Sequence, residues 1–183
     1  GGLPDPAVGT IANMSAVKYT VAPAVGSATA TKAAFALTDA AQEGIVAGIT
    51  NPDVPRVVSI KGNASGITGN VVVHGTNIND EVISDTLALN VSTEVAGAKA
   101  FKTVTSIDYP AETHAGTDTV SIGRGVKIGF PAIISNTGLV IAKNFDGSVD
   151  AGTVTASTTV EGSIYAVAGT MNGVKLVSLV FLV

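Results

Sequence analysis

The chain has 183 residues, of which 13% are charged, with a formal net charge of −4 and no cysteine. A chain this long buries roughly 70% of its unfolded surface without a covalent staple, and lacking cysteine it is excluded from thiolate catalysis, cysteine-ligated zinc and a disulfide framework. Ten Lys and Arg against fourteen Asp and Glu, scattered without a basic stripe, speak against nucleic acid as a partner.

The charged fraction is half the ~25% usual for soluble domains, and the mean hydropathy is +0.46. Much of the surface is therefore expected to meet other subunits, where charge is depleted; the competing reading is a well-packed β domain with a Ser/Thr/Asn exterior. Membrane insertion fails on length. The least charged stretch, 128–142, is interrupted by Pro131, Ser135, Asn136 and Thr137, and 174–183 is short and carries Lys175, whereas a spanning helix needs ~20 apolar residues. The amino end shows no basic segment followed by an apolar one, so no export signal is expected. The lack of cysteine suits manufacture in a reducing cytoplasm.

Residues 1–27 read as an extended N-terminal arm. Pro4, Pro6 and Pro23 with Gly1, Gly2, Gly9 and Gly26 prevent a long regular element, yet Leu3, Val8, Ile11, Met14, Val17 and Tyr19 give it more apolar content than a disordered tail carries. Those six are the candidate partner-contact residues, if the arm orders against a neighbouring subunit or a larger surface. The alternative is a first strand, Ala16–Val21, packed on its own domain.

A main β domain is expected over 28–135. Thr29–Leu37 and Gly44–Ile49 read as strands, because Gly44 and Gly48 leave too little room for a helix starting at Thr38 or Asp39. Residues 51–55, with two prolines, are a loop. Between 55 and 107, four runs rich in Val, Ile and Thr are separated by Gly, Asn and Asp clusters, the pattern of antiparallel strands joined by turns. Ile83, Leu87 and Leu89 share an inward face that also holds Asp85; Val71 and Val73 share another, and a hairpin pairs these two runs. The fourth run starts at Phe101, with 91–100 as a connection before it. Residues 108–119 form a long loop. Gly123-Arg124-Gly125, between Val120–Ile122 and Val126–Ile128, marks a tight turn or bulge.

Residues 136–183 are expected to form β hairpins completing the core, or a small subdomain. Short strands are predicted at Ile133–Ile134, Leu139–Ala142, Thr153–Thr159, Ser163–Ala168 and Lys175–Val183, with turns at Asn136-Thr137-Gly138, Asp146-Gly147, Glu161-Gly162 and Asn172-Gly173. The last is the strongest hairpin signal. The final run stays apolar to Val183, so it must be paired and covered, either centrally in its own domain or across a subunit contact. The fold class that follows is all-β: an antiparallel β-sandwich or β-barrel-like domain with the arm in front.

Reactive groups are sparse. His74 and His114 form no ligand spacing with an acid, and Asp80, Glu81 and Asp85 lack the oxygen-rich loop of a calcium site. Asp108, Glu112 and Asp118 are too loosely spaced for a metal, and the glycines at 123, 125 and 129 lack the Lys-Ser/Thr and helix of a phosphate loop. No Gly-x-Ser-x-Gly elbow is present. The expectation is no enzyme, no metal and no cofactor.

The run ITNPDVPRVVSIKGNASGITGNVVVHGTNINDEVISDTLALN, followed by AGAKAFKTVTSIDYP and VSIGRGVKIGFP, resembles tailed-bacteriophage virion structural proteins of the capsid decoration type, the cement or auxiliary head proteins. The resemblance covers roughly residues 45–135. It implies a non-enzymatic protein on the capsid surface of the virion that binds the major capsid protein and itself, commonly as a homotrimer, and stabilises contacts between capsomers. Two alternatives stay open: a tail-tube or other tail component, and a carbohydrate-binding β-sandwich on a fibre. The second is weakened by the absence of Trp and the presence of only three Tyr and five Phe.

Overall fold

A computed structural model describes residues 14–114 and 116–183. The described chain is all-β, with one short 3-10 turn at Thr137–Leu139 capped by the Asn136 side chain. In chain order the strands are β1 (Ala16–Val21), β2 (Ser27–Ala36), β3 (Gln42–Ile45), β4 (Arg56–Gly62), β5 (Asn70–Thr76), β6 (Val82–Ala88) and β7 (Val95–Phe101). They continue with β8 (Thr103–Tyr109), β9 (Thr119–Gly129), β10 (Val140–Phe145), β11 (Ser148–Val149), β12 (Thr153–Thr155), β13 (Ile164–Ala166) and β14 (Val177–Leu182).

Three antiparallel sheets result. The central sheet runs β12-β13-β9-β4-β7, with β2 beside β13 on the same flank of β9; the outer sheet runs β3-β8-β5-β6; the terminal sheet runs β1-β14-β10-β11. Two large cores lie between them, and Val57, Ala100 and Ile164 form a small third cluster. Val58, Ile60, Val120 and Ile122 of the central sheet meet Val73, Leu87 and Ile107 of the outer sheet in the first. Ile128, Phe130 and Tyr165 meet Val177, Leu179 and Phe181 of the terminal sheet in the second, where the Phe130 and Phe181 rings meet edge to face, 5.4 Å apart. Strand β9 serves both, with Val120 and Ile122 in one core and Ile128 in the other.

Gly123-Arg124-Gly125 lies inside β9, a bulge and not a turn: from Arg56↔Ile128 to Val58↔Arg124, two steps on β4 answer four on β9. The extra residues re-aim the strand from one core to the next. Gly123 is required there because a Cβ would sit 2.4 Å from the Ser27 carbonyl oxygen and 2.5 Å from the Ala28 Cα. The hairpin β5–β6 forms as its alternation predicts, with Val71↔Leu87 and Gly75↔Ile83 paired. Asp85, the exception on that face, accepts hydrogen bonds from the backbone N–H groups of Ala98 (2.7 Å) and Lys99 (3.2 Å), while the Lys99 ammonium donates to the Ser84 carbonyl. These bonds close the corner where the outer and central sheets meet.

Several expectations are corrected. Residues 95–101 are a strand, not a connection: small residues in VAGAKA let β7 lie at a sheet edge with little apolar signal. Phe101 ends that strand, and β8 starts anew at Thr103. Its inward residues are Val104, Ile107 and Tyr109, because Thr105 is an extra residue between the pairs His74↔Ser106 and Gly75↔Val104. Ile133–Ile134 is irregular, and Thr153–Thr159 shortens to Thr153–Thr155. Asn172-Gly173 is a turn, with the Asn172 side chain accepting from Val174 and Lys175 N–H, but β13 and β14 on either side belong to different sheets. The tight hairpin is instead at Asp146-Gly147, both at positive φ (52° and 83°), joining β10 to β11.

Candidate interaction surface

Of the six arm residues singled out from sequence, Leu3, Val8 and Ile11 lie outside the described residues. Met14 is exposed, and Val17 and Tyr19 are half-buried against the second core. The stretch Ala16–Val21 is thus a strand of the chain's own terminal sheet, in unbroken register with β14 from Ala16↔Leu182 to Val21↔Val177. Burial raises the Tyr19 hydroxyl above the ordinary tyrosine range. The carboxyl-terminal run is central, flanked by β1 and β10, with Val177, Leu179 and Phe181 fully buried.

The exterior carries branched aliphatic side chains in the open. Val82 and Val149 are each 87% exposed, Val174 77%, and Val25, Ile141 and Leu176 half or more. Val82 and Ile133 share an open groove of about 460 Å³ with Asn77, Glu81 and Glu161. There the buried Asn77 amide donates to Glu81 (2.7 Å) and reaches Glu161 at 3.4 Å, while its carbonyl accepts from the N–H groups of Asn79 and Glu81. That amide knits the β5–β6 turn, and the neighbouring Asp80 pairs with Lys102.

The titratable clusters act as struts. His74 Nε2 and Asp108 Oδ2 pair at 2.8 Å across β5 and β8; the Gly44 N–H and His74 together hold the Asp108 carboxyl below its usual range. Asp118 is buried and accepts from the Thr113 and His114 N–H groups, closing the loop before β9. Arg56 is fully buried and donates to the Ala24 and Gly125 carbonyls and to Asp53 (2.9 Å), which Arg124 also approaches at 3.4 Å. Burial opposes ionisation of Asp53, but the Ala24 N–H and the two guanidinium groups outweigh it and lower the carboxyl's pKa. This strut spans the junction of the two cores. Sequence reading missed it, since a lone Arg beginning a Val-rich strand looks like an edge charge. Among the described residues no three of His, Asp and Glu gather to hold a metal ion, and no helix is long and apolar enough to cross a membrane.

The fold and these clusters define an antiparallel β protein whose polar constellations hold loops and strands together. Comparison with protein-family models, curated proteins and solved structures finds no match.

Proposed function

We propose that this chain is a non-enzymatic virion structural protein, a decoration protein that binds the outer surface of a phage head through the major capsid protein and stabilises capsomer contacts. The observation that carries the reading is the exposure of large aliphatic side chains on a chain with half the ordinary charge: Val82, Val149 and Val174 stand largely in the open, and apolar surface is concentrated at the cores of interfaces. The sequence resemblance over residues 45–135 supplies the partner. Many copies on one lattice hold through multivalency where a single contact is weak. The carbohydrate reading loses support: five of the eight aromatic rings are fully buried and Tyr19, Phe35 and Phe145 are half-buried, so no ring stands free for a sugar to stack on.

The test is cosedimentation of purified protein with heads that lack it. Saturable binding to heads is the expected result, and its absence overturns the reading. Truncation should stop before β1: a chain starting at Met14 keeps all six pairs to β14 and should occupy heads less well if residues 1–13 contribute to attachment. A tail-tube role is the second reading, favoured by the edge of β1 that no described strand covers, and rings or tubes in the purified protein would select it.

A further inference from the structure

We propose that two copies of this chain pair through β1, antiparallel across a two-fold axis, joining their terminal sheets into one continuous sheet with Tyr19 against Tyr19 at its centre. On one side β1 is bonded to β14; on the other, no strand of the described chain adjoins it. This edge is weakly defended: six residues run without bulge or proline, and Lys18 is its one protecting charge.

The backbone selects the parity of the pairing. Ser15 and Val183 exchange both their hydrogen bonds, at 2.9 and 3.0 Å. In an antiparallel ladder such pairs alternate, so Val17, Tyr19 and Val21 turn their N–H and C=O groups toward β14, and Ala16, Lys18 and Thr20 turn theirs away. Only these even-numbered residues have groups free for a second strand. Two registers near the middle of β1 satisfy that parity. One sets Lys18 directly opposite Lys18, which like-charge repulsion disfavours.

The other sets Lys18 opposite Thr20 of the second copy, where the two exchange N–H···O=C bonds. It places Tyr19 against Tyr19 in the closer, non-bonded position and Val17 against Val21. Val17, Tyr19 and Val21 already rim the second core half-buried, so this register completes their burial and runs the two cores together. Aromatic and β-branched cross-strand pairs are the stabilising kind, and the two lysines lie apart on the outer face. Charge separation and apolar fit thus point to the same second copy in the same register. The contact does not depend on the virion role, and either stands if the other fails. It yields a dimer or, combined with a three-fold cluster of the kind the resemblance implies, a hexamer with 32 symmetry.

Sedimentation equilibrium of the full chain tests the pairing, with three variants. Thr20→Pro removes an outward N–H at a position where an edge strand accepts proline, and should weaken association about thirtyfold through two lost bonds. Tyr19→Cys, in a chain without cysteine, should cross-link on mild oxidation, because a non-bonded pair holds its Cα atoms about 4.5 Å apart, within disulfide reach. Lys18→Cys should not, its two copies being roughly 8–9 Å apart. A monomer at about 100 μM, a plain trimer, or an oligomer that Thr20→Pro leaves intact overturns the proposal. If Thr20→Pro does not fold, the contrast between the two cysteine variants decides it: equal cross-linking, or none, sinks it.

Discussion

At the scale of single residues, the buried polar groups of this chain are joints. Asp150, 7% exposed, accepts hydrogen bonds from the Tyr165 hydroxyl and from the N–H groups of Ala168 and Gly169, both at 3.1 Å. Burial pushes the carboxyl up, but these donors more than offset it and hold its pKa below the usual carboxylate range; burial and the same bond raise the Tyr165 hydroxyl. A carboxyl whose pKa is lower folded than unfolded contributes stability that is full above the unfolded value near 4 and is lost as pH falls through the folded one. Asp150→Asn should therefore cost about 2 kcal/mol at neutral pH. It should also flatten the acid limb of the stability curve, read from urea midpoints between pH 2 and 7. An unchanged acid limb would show that this carboxylate does not supply the pH dependence.

At the scale of elements, strands announced by alternating Val, Ile and Leu were legible, and those carried by small residues were not. The β5–β6 hairpin was legible as a pairing of the Val71 run with the Ile83 run, and the structure supplies its register. Strand β7 gave no such signal: its edge position lets Ala96, Gly97 and Ala98 suffice, and Asp85 from β6 holds it by side-chain bonds that no local pattern encodes. Asn172-Gly173 misled for the opposite reason, since turn chemistry fixes a local bend and says nothing of which sheet the next strand joins. The arm residues divided likewise: Ala16–Val21 could be read as part of an arm or as a strand of its own domain, and only the distant β14 shows what Val17 and Tyr19 pack beside. The β9 bulge offers a contrast within three residues. Gly123→Ala drives a Cβ into the Ser27 carbonyl and Ala28, whereas the nearest atom to a Cβ at Gly125 is 4.0 Å away. The first should cost about 3 kcal/mol by overpacking and raise amide exchange along β2, while Gly125→Ala should stay within about 0.5 kcal/mol. Equal effects would mean that the bulge, and not the approach of β2, sets the need for glycine.

At the scale of the molecule, the question is whether two cores make two folding units. Residues between 35 and 122 build the first and β1 with 128–182 builds nearly all of the second, a division that would permit independent unfolding. Three features oppose it. Strand β9, about 36 Å long at 3.3 Å per residue, lends Val120 and Ile122 to one core and Ile128 to the other. Arg56, at the start of β4, is bonded to the segment after β1 through Ala24 and to the β9 bulge through Gly125; freeing either side would strand a buried cation, a cost of several kcal/mol. The terminal sheet pairs β1 with β14, so the second core closes only when strands far apart in sequence meet. Loss of the second core should thus take the first with it. Leu179→Ala, a fully buried truncation in β14, should cost 2–5 kcal/mol. In native-state hydrogen exchange, the slowest amides of β5 and β8, in the other core, should lose protection by that same free energy. If β5 and β8 keep their protection while β14 exchanges freely, the cores are separate foldons and β9 is a tether between them.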